Sequence, residues 1–288
     1  MIRLATRSSA QARTQAEVVA QSITSATGIP VELVFVETLG DQNKDQPLHQ
    51  IGGQGIFVKE VQQAVLRGDA DIAVHSAKDL PSQHAEGLVV GAWCERRDAR
   101  DALVGNSLND LELGATVATG SVRRRAQLLT VRPDLKFVEL RGNIHTRLDK
   151  IPNNGSIVMA IAAMQVLGIT NRIAEELATT DFVPMVGQGC VAVECREGDH
   201  ETLAAISGID HARTRFAVEI ERAFLAELGA GCSMPVGAYV NDANVLSTFM
   251  ATGATNSDRH VKFVETVPPV DAHEFARELA RKSQSALA

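Results

Sequence analysis

The hydrophobic positions of the N-terminal part follow two periods in turn. Short apolar runs, typical of buried strands, alternate with longer stretches that carry apolar residues every three or four positions, as helices do. The predicted strands of this part are 2–6, 31–38, 72–74 and 88–93. The predicted helices begin after Ser9 and at Ile56, and they end before Gly28 and at Arg67. This β-α-β-α-β order predicts a mostly parallel sheet with helices on its faces.

The same pattern returns in the middle of the chain. Strands are predicted at 115–118, 136–140 and 157–162, and helices at 122–131 and 144–151. Two segments are predicted to connect the halves. They are a charged crossing at 95–101, which is a candidate hinge, and a return crossing at 183–194. The sequence therefore predicts two similar open α/β units.

The C-terminal part has a different order of elements. A long helix is predicted at 211–228, and a terminal helix after Asp271, with Glu274 as its capping partner. Three strands are predicted between the helices, at 236–240, 245–254 and 261–267, the last two joined by a hairpin at 256–258. This order indicates a small α+β domain. The expected division is 1–95 with 190–208 as domain 1, 96–189 as domain 2, and 209–288 as domain 3.

Composition narrows the classes of function. The net charge of -7 argues against binding driven by nucleic-acid phosphates, and an aromatic content of 4% argues against base-stacking platforms. The four cysteines form no CxxC pair, so neither a metal site nor a disulfide scaffold is expected. The N-terminus has the pattern of a strand and not of a signal peptide, and no apolar run is long enough to span a membrane. A cytoplasmic protein is expected.

Charged residues follow the strand at 72–74 directly. Lys78 and Asp79 stand where an open α/β sheet keeps its ligands, outside the carboxyl ends of the strands. An equally good interpretation at this point is that Asp79 only caps the turn before Pro81 and Lys78 is solvated. His75 is interpreted as a buried histidine whose polar atoms are satisfied.

Three predicted turns between a strand and a helix carry arginine. They contain Arg7 with Ser9, the run 119–125 (TGSVRRR), and Arg141 with Arg147. Helix N-termini and arginine forks both favour anions. The run at 123–125, taken alone, is more typical of a solvated helix face than of a binding site. Three such turns in two matched halves favour a cleft for a small polycarboxylate, since charge and composition argue against nucleic acid.

Cys232 follows a predicted helix on a glycine-rich turn. Free cysteines are usually small buried hydrophobes, but a thiol on such a turn is also a candidate attachment point. The other cysteines, Cys94, Cys190 and Cys195, are predicted to be core residues. No nucleotide site is expected, because the glycine-rich stretch 52–55 lacks the Lys-Ser/Thr of a phosphate-binding loop.

Several motifs occur in one order along almost the whole chain. They are 5–9 (ATRSS), 55–60 (GIFVKE), 71–81 (DIAVHSAKDLP), 140–143 (LRGN) with 146–147 (TR), 186–189 (VGQG), 231–232 (GC) and 236–239 (VGAY). Through these motifs the chain resembles the porphobilinogen deaminase family. The resemblance implies two α/β domains like those of periplasmic binding proteins, with mostly parallel sheets, and a smaller C-terminal domain that bears the thiol.

The resemblance also implies a reaction and a cofactor. Four porphobilinogen molecules would be joined head to tail, each losing ammonia, on a dipyrromethane held by Cys232 through a thioether; water would then release hydroxymethylbilane. Asp79 would be catalytic, stabilising the cation that forms when ammonia leaves. The cofactor is expected to contact Lys78, Asp79, Ser121, Arg123, Arg124 and Arg147. The substrate is expected to contact Arg7, Ser9, Arg141, Arg147 and Gln188.

The sequence departs from the family pattern at three positions. Gln54 stands in place of a lysine, Gly120 in place of a residue with a hydroxyl, and Val166 in place of an arginine. An alternative hypothesis is a non-catalytic, two-lobed binding protein for a polycarboxylate. The missing signal peptide, the third domain and Cys232 favour the enzyme, a monomeric transferase of tetrapyrrole (haem) biosynthesis with no metal, nucleic-acid or membrane partner.

Overall fold

The computed structural model describes residues 1–38, 55, 57–229 and 234–288. These residues fold into two compact units. The first comprises Met1–Arg97 and Gly189–Phe216, and the second comprises Asp98–Gln188 and Ala217–Ala288. The division into three domains at the boundaries given above stays a prediction.

The strands and helices are numbered in chain order. The strands are β1 (Ile2–Arg7), β2 (Val31–Val36), β3 (Ile72–Ser76), β4 (Leu88–Trp93), β5 (Asp101–Gly105), β6 (Thr116–Ala118), β7 (Lys136–Val138), β8 (Ser156–Ala160), β9 (Glu175–Leu177), β10 (Val191–Arg196), β11 (Val236–Val240), β12 (Val245–Ala251) and β13 (His260–Thr266). The α-helices are α1 (Ala10–Thr27), α2 (Lys59–Leu66), α3 (Val122–Val131), α4 (Ile144–Leu148), α5 (Ile161–Val166), α6 (His200–Ser207), α7 (Ala212–Glu227) and α8 (Ala272–Leu287). Where the structure describes the chain, none of these helices has the length and apolar character needed to cross a bilayer.

The first unit is built on a five-stranded sheet in the order β2-β1-β3-β10-β4. Strand β1 pairs in parallel with β2 and β3, whereas β10 runs antiparallel to both its neighbours. One face packs against α1 and α6 through Val19, Ile23 and Ile206. The other face packs against α2 through Val61 and Val65. The sheet is thus covered on both sides, which explains the continuous apolar run in β3.

The second unit repeats this arrangement. Its sheet has the order β7-β6-β8-β5-β9, with β6 parallel to β7 and β8, and with β5 antiparallel to β8 and β9. In each sheet, then, three neighbouring parallel strands are followed by one reversed strand. The prediction of two similar α/β halves is confirmed.

The C-terminal strands form an antiparallel sheet in the order β11-β12-β13. Phe249 and Ala251 of this sheet pack against Ala126 of α3 and against Val183. The small α+β arrangement predicted for this part is confirmed, and so is the α/β class of the chain.

Both predicted crossings contain a point where the chain passes between the two units, after Arg97 and after Gln188. The sequence did not predict that they lead into the reversed strands β5 and β10. Two other element predictions were wrong. Ile161 and Ala162 begin a helix and do not extend β8. Asp271 takes a left-handed conformation with no side-chain cap bond, while Glu274 pairs with Arg277 and Arg281. The predicted loop at 39–53 lies outside the described residues.

Candidate functional site

In the first unit, the predicted site residues lie at the carboxyl edge of the sheet. Arg7 ends β1, and Ser9 follows it as the N-cap of α1, where its hydroxyl accepts from the backbone N–H of Ala12. Lys78 and Asp79 lie in a short 3-10 turn, Ala77–Asp79, directly after β3. Because β1 and β3 are parallel neighbours, the structure brings these four residues to one edge.

The carboxylate of Asp79 is available to a ligand. Asp79 is half-buried, and within the described residues its side chain makes no hydrogen bond or ion pair. The turn is closed by the backbone instead, since the N–H of Leu80 bonds to the carbonyl of Ala77. The interpretation of Asp79 as a mere cap is therefore wrong.

Arg7 is oriented by an aromatic ring. Its guanidinium carbon lies 4.2 Å from the ring centroid of Phe57, a cation–π arrangement. Arginine next to a helix N-cap at the edge of a sheet suits carboxylate recognition.

His75 belongs to a buried polar cluster under the same edge. Its Nε2 lies 3.1 Å from Oε2 of Glu194 on β10, and Gln62 of α2 donates to both oxygens of Glu194. Burial raises the pKa of Glu194, but His75 and Gln62 together lower it below the ordinary value, so the carboxyl is ionised at neutral pH. His75 is thus buried, as predicted, and lies against Glu194, to which the sequence did not point. Its Nε2 makes no well-aligned hydrogen bond to any described residue, so the prediction that its polar atoms are satisfied is wrong.

The second unit presents its residues at the matching edge. Ser121 is the N-cap of α3, and its hydroxyl accepts from the N–H of Arg124. Arg123 is only 4% exposed and the side chain of Arg124 only 11%, so a solvated helix face is wrong for both. Arg125 is less buried and lies over the ring of Phe137.

Both buried arginines converge on Asp101, the first residue of β5. Arg124 donates to its Oδ1 through Nη2 at 2.7 Å and Nε at 3.0 Å, and Arg123 donates to its Oδ2 through Nη2 at 2.8 Å. Asp101 is 1% exposed. The sequence did not point to Asp101, because it ends a run of charged residues. The apolar residues that follow it, 102–104, are the signal that a buried strand begins there.

The remaining predicted residues of this unit are placed differently. Gln188 is buried, and its Nε2 donates to the carbonyl of Ala99 at 2.7 Å and to Asp101 Oδ1 at 2.9 Å. Arg147 lies on α4, and its Nε donates to the carbonyl of Gly142. Arg141 has a buried Nη2 without a hydrogen-bond partner among the described residues.

The described cysteines are poor nucleophiles. Burial raises the pKa of Cys94 to about 12 and that of Cys195 to about 11, and Cys190 donates its S–H to backbone carbonyls. Cys190 and Cys195 are buried as predicted, whereas Cys94 is partly exposed. Cys232 and Gln54 lie outside the described residues. No metal-binding group of histidine, cysteine or carboxylates occurs in the described ranges.

Two family models match this chain. "Porphobilinogen deaminase, dipyromethane cofactor binding domain" matches residues 2–204, and "Porphobilinogen deaminase, C-terminal domain" matches residues 215–282.

Curated relatives carry the same name. A porphobilinogen deaminase of Thermobifida fusca (strain YX) is 42% identical over 291 residues, which covers 97% of this chain and 91% of the relative. One of Geotalea uraniireducens (strain Rf4) is 42% identical over 243 residues, covering 83% of this chain and 76% of the relative.

Two solved structures that are similar over about three quarters of this chain are named as binding proteins. The methionine binding protein MetQ matches with a TM-score of 0.46 and 18% identity, over 72% of this chain and 88% of that one. A periplasmic substrate-binding protein of an ABC transporter from Coxiella burnetii matches with a TM-score of 0.46 and 14% identity, over 74% of this chain and 94% of that one.

Proposed function

Because the chain belongs to the porphobilinogen deaminase family, we propose that Asp79 is its catalytic carboxylate and Cys232 the anchor of its cofactor. The protein is a transferase. It condenses four porphobilinogen molecules head to tail with loss of four ammonia molecules, and one water molecule releases hydroxymethylbilane. The match of both family models carries this assignment, which disfavours the alternative of a non-catalytic binding protein.

The protein uses a dipyrromethane cofactor, and the residues present fit such a group. A dipyrromethane of this kind offers carboxylates, which need N–H donors, and pyrrole N–H groups, which need an acceptor. The buried Nε of Arg123 has no partner in the described part of the chain, and the carboxylate of Asp79 accepts no hydrogen bond there. When bound, the cofactor supplies the first pyrrole acceptor and remains on the protein after product release.

Asp79 is suited to the chemical step by its position. An ionised carboxylate at the carboxyl edge of the sheet accepts a hydrogen bond from a pyrrole N–H. It also stabilises the cation that porphobilinogen becomes as ammonia departs. Two unit charges about 4 Å apart attract by roughly 4 kcal/mol at an effective dielectric near 20. An attraction of this size in the transition state changes a rate by orders of magnitude.

The other site residues bind carboxylates in this proposal. Those assigned to the cofactor are Lys78, Ser121, Arg123, Arg124 and Arg147. Those assigned to the substrate are Arg7, Ser9, Arg141, Arg147 and Gln188. Support comes from their placement at the carboxyl edges of the two sheets. For Gln188 the support is weakest, because its amide nitrogen is already engaged by Ala99 and Asp101.

The proposal extends to the state of the protein in the cell. We propose a cytoplasmic monomer with three domains, without nucleic-acid or membrane partners. The net charge of -7 supports the exclusion of nucleic acid. Size-exclusion chromatography with light scattering tests the monomer directly, and a dimer mass would contradict it.

Intact mass spectrometry tests the enzyme and its anchor together. The chain is produced in a host that makes porphobilinogen, and the purified protein is expected to exceed its sequence mass by one dipyrromethane. Cys232→Ser is expected to have the mass of its sequence alone, while Cys94→Ser keeps the adduct. An unmodified wild-type chain would refute the proposed function, and an adduct on Cys232→Ser would refute the anchor only.

A further inference from the structure

Asp101 holds two arginines with one carboxylate. Both its oxygens accept from guanidinium groups, Oδ1 from Arg124 and Oδ2 from Arg123, at 2.7–3.0 Å. Burial raises the pKa of Asp101, but the charges of Arg123 and Arg124 outweigh it and bring the pKa well below the ordinary range. The carboxylate is therefore ionised at neutral pH, and the three side chains together carry one net positive charge.

An excess of one positive charge is unusual for a buried cluster. Arg132 and Asp134 of the same unit pair one to one, bidentately and with partial exposure. Charge burial is costly unless it is compensated. An anion that binds next to Arg123 and Arg124 would neutralise the positive charge that Asp101 leaves uncompensated.

The arginines keep donors for such an anion. A guanidinium has five N–H groups. Arg124 uses three, two on Asp101 and one on the carbonyl of Val158, which leaves two. Arg123 uses two, on Asp101 and on the carbonyl of Val183, which leaves three. One of these is the buried Nε of Arg123, which lacks a partner in the described residues.

Asp101 is itself fixed from another segment. The amide nitrogen of Gln188 donates to Oδ1 of Asp101 and to the carbonyl of Ala99. The carboxylate therefore cannot turn without breaking bonds to three side chains. Two guanidinium groups repel each other, and the fixed carboxylate between them is the one group that binds both and so holds the two forks together.

We propose that Asp101 is a positioning residue for the cofactor. It orients Arg123 and Arg124 so that their remaining N–H groups bind a dipyrromethane carboxylate, and Gln188 acts through Asp101. This inference rests on the proposed function, since it takes the cofactor as the anion. It assigns Asp101 no contact with the cofactor, because its oxygens already accept four hydrogen bonds.

Loading of the cofactor-free protein tests the inference. The full chain is produced in a host that cannot make porphobilinogen, then incubated with porphobilinogen while intact mass reports the loaded fraction over time. Asp101→Asn is expected to load about tenfold or more slowly, because charge-assisted hydrogen bonds no longer orient the arginines. Asp134→Asn, the same change at the one-to-one pair, is expected to load at the wild-type rate.

A second readout separates positioning from a merely structural role. The thermal midpoint is measured for loaded and cofactor-free forms of each variant. If Asp101 served stability alone, Asp101→Asn would lower both midpoints equally and leave their difference unchanged. We expect the difference to shrink, since a misplaced arginine pair gains less from the cofactor; Asp134→Asn should keep the wild-type difference.

The outcomes distinguish the two proposals. Wild-type protein that never gains mass overturns the proposed function and this inference with it. A wild-type loading rate and an unchanged midpoint difference in Asp101→Asn overturn the positioning role alone. If Asp101→Asn does not fold, Gln188→Met, which removes the donor to Asp101 together with its bond to the carbonyl of Ala99, is expected to shift both readouts less but in the same direction. Unchanged values in that variant would equally contradict the inference.

Discussion

The side chain of Asp79 is held by no other described residue, so its removal should separate activity from stability. We predict that Asp79→Asn lowers kcat by about 10²–10⁴-fold, because the amide cannot stabilise a cation or accept a proton as a carboxylate does. The free energy of unfolding should change by less than about 0.5 kcal/mol, because the substitution removes no hydrogen bond or ion pair to a described residue. Steady-state kinetics on cofactor-loaded protein measure kcat, and urea unfolding measures the free energy.

The matched control for that prediction is Asp69→Asn. Asp69 lies in the same unit, and its side chain is exposed and paired with Arg67. This variant should retain wild-type kcat. Near-normal product formation by Asp79→Asn would remove the carboxylate from the chemical step.

Glu194 offers the opposite case, a buried carboxylate with a structural role. We predict that Glu194→Gln lowers the free energy of unfolding by about 1–3 kcal/mol near neutral pH, since Gln62 loses a charged acceptor and His75 a charged neighbour. The pKa of Glu194 is depressed, so its contribution is full above the ordinary value of 4.5 and is lost as the pH falls through the folded-state pKa. The difference between the proteins should narrow below about pH 4.5.

Urea unfolding across that pH range measures this effect. Glu197→Gln, an exposed glutamate just after β10, serves as the control and should track the wild type at every pH. A wild-type advantage that grows on acidification would contradict the assigned direction of the Glu194 pKa.

At the residue scale, sequence could identify the ends of strands but not the partners of buried charges. Lys78 and Asp79 follow an apolar run, and that placement is visible without coordinates. Asp101 and Glu194 meet their partners only because distant segments pair, as Glu194 does with Ala73 across β10 and β3. No local spacing records such a contact.

At the element scale, the turn between β6 and α3 is crowded at Gly120, one of the departures from the family pattern. A Cβ added to Gly120 would lie 3.1 Å from the carbonyl oxygen of Leu140 and 3.2 Å from a carboxylate oxygen of Glu139. We predict that Gly120→Ala lowers the free energy of unfolding by about 1–3 kcal/mol, the usual cost of overpacking. Denaturant unfolding measures it.

Gly208→Ala is the comparison for this turn. A Cβ there would meet only the Cβ of Ala26, at 3.5 Å, which is ordinary van der Waals contact. That variant should be unchanged or more stable by up to about 1 kcal/mol, because the unfolded chain loses freedom. Equal effects of the two substitutions would show that crowding at Leu140 does not explain Gly120.

The elements that sequence missed share a physical cause. The parallel strands β3 and β8 are apolar runs that follow helices, so their pattern is local. The reversed strands β5 and β10 are specified by pairing with strands far away in the chain, and both lie next to charged segments. The hydrophobic period alone therefore predicts the repeated halves but not the reversed strand that lies inside each sheet.

At the scale of the whole molecule, the four cysteines should differ in reactivity. The thiolate is the nucleophile, and burial raises the pKa of Cys94 to about 12 and that of Cys195 to about 11. Cys190 is buried and donates its S–H to backbone carbonyls. None of these three should react with iodoacetamide at neutral pH while the fold is intact.

We therefore predict that cofactor-free protein, alkylated briefly near pH 7.5, gains one carbamidomethyl group, on Cys232, and then fails to load with porphobilinogen. Unfolding in urea before alkylation should expose all four thiols. Peptide mapping identifies the modified residue, and Cys232→Ser should remain unmodified under native conditions. Native labelling of Cys195 in preference to Cys232 would contradict the prediction, since it would mean that the protein environment does not select the anchor by thiolate availability.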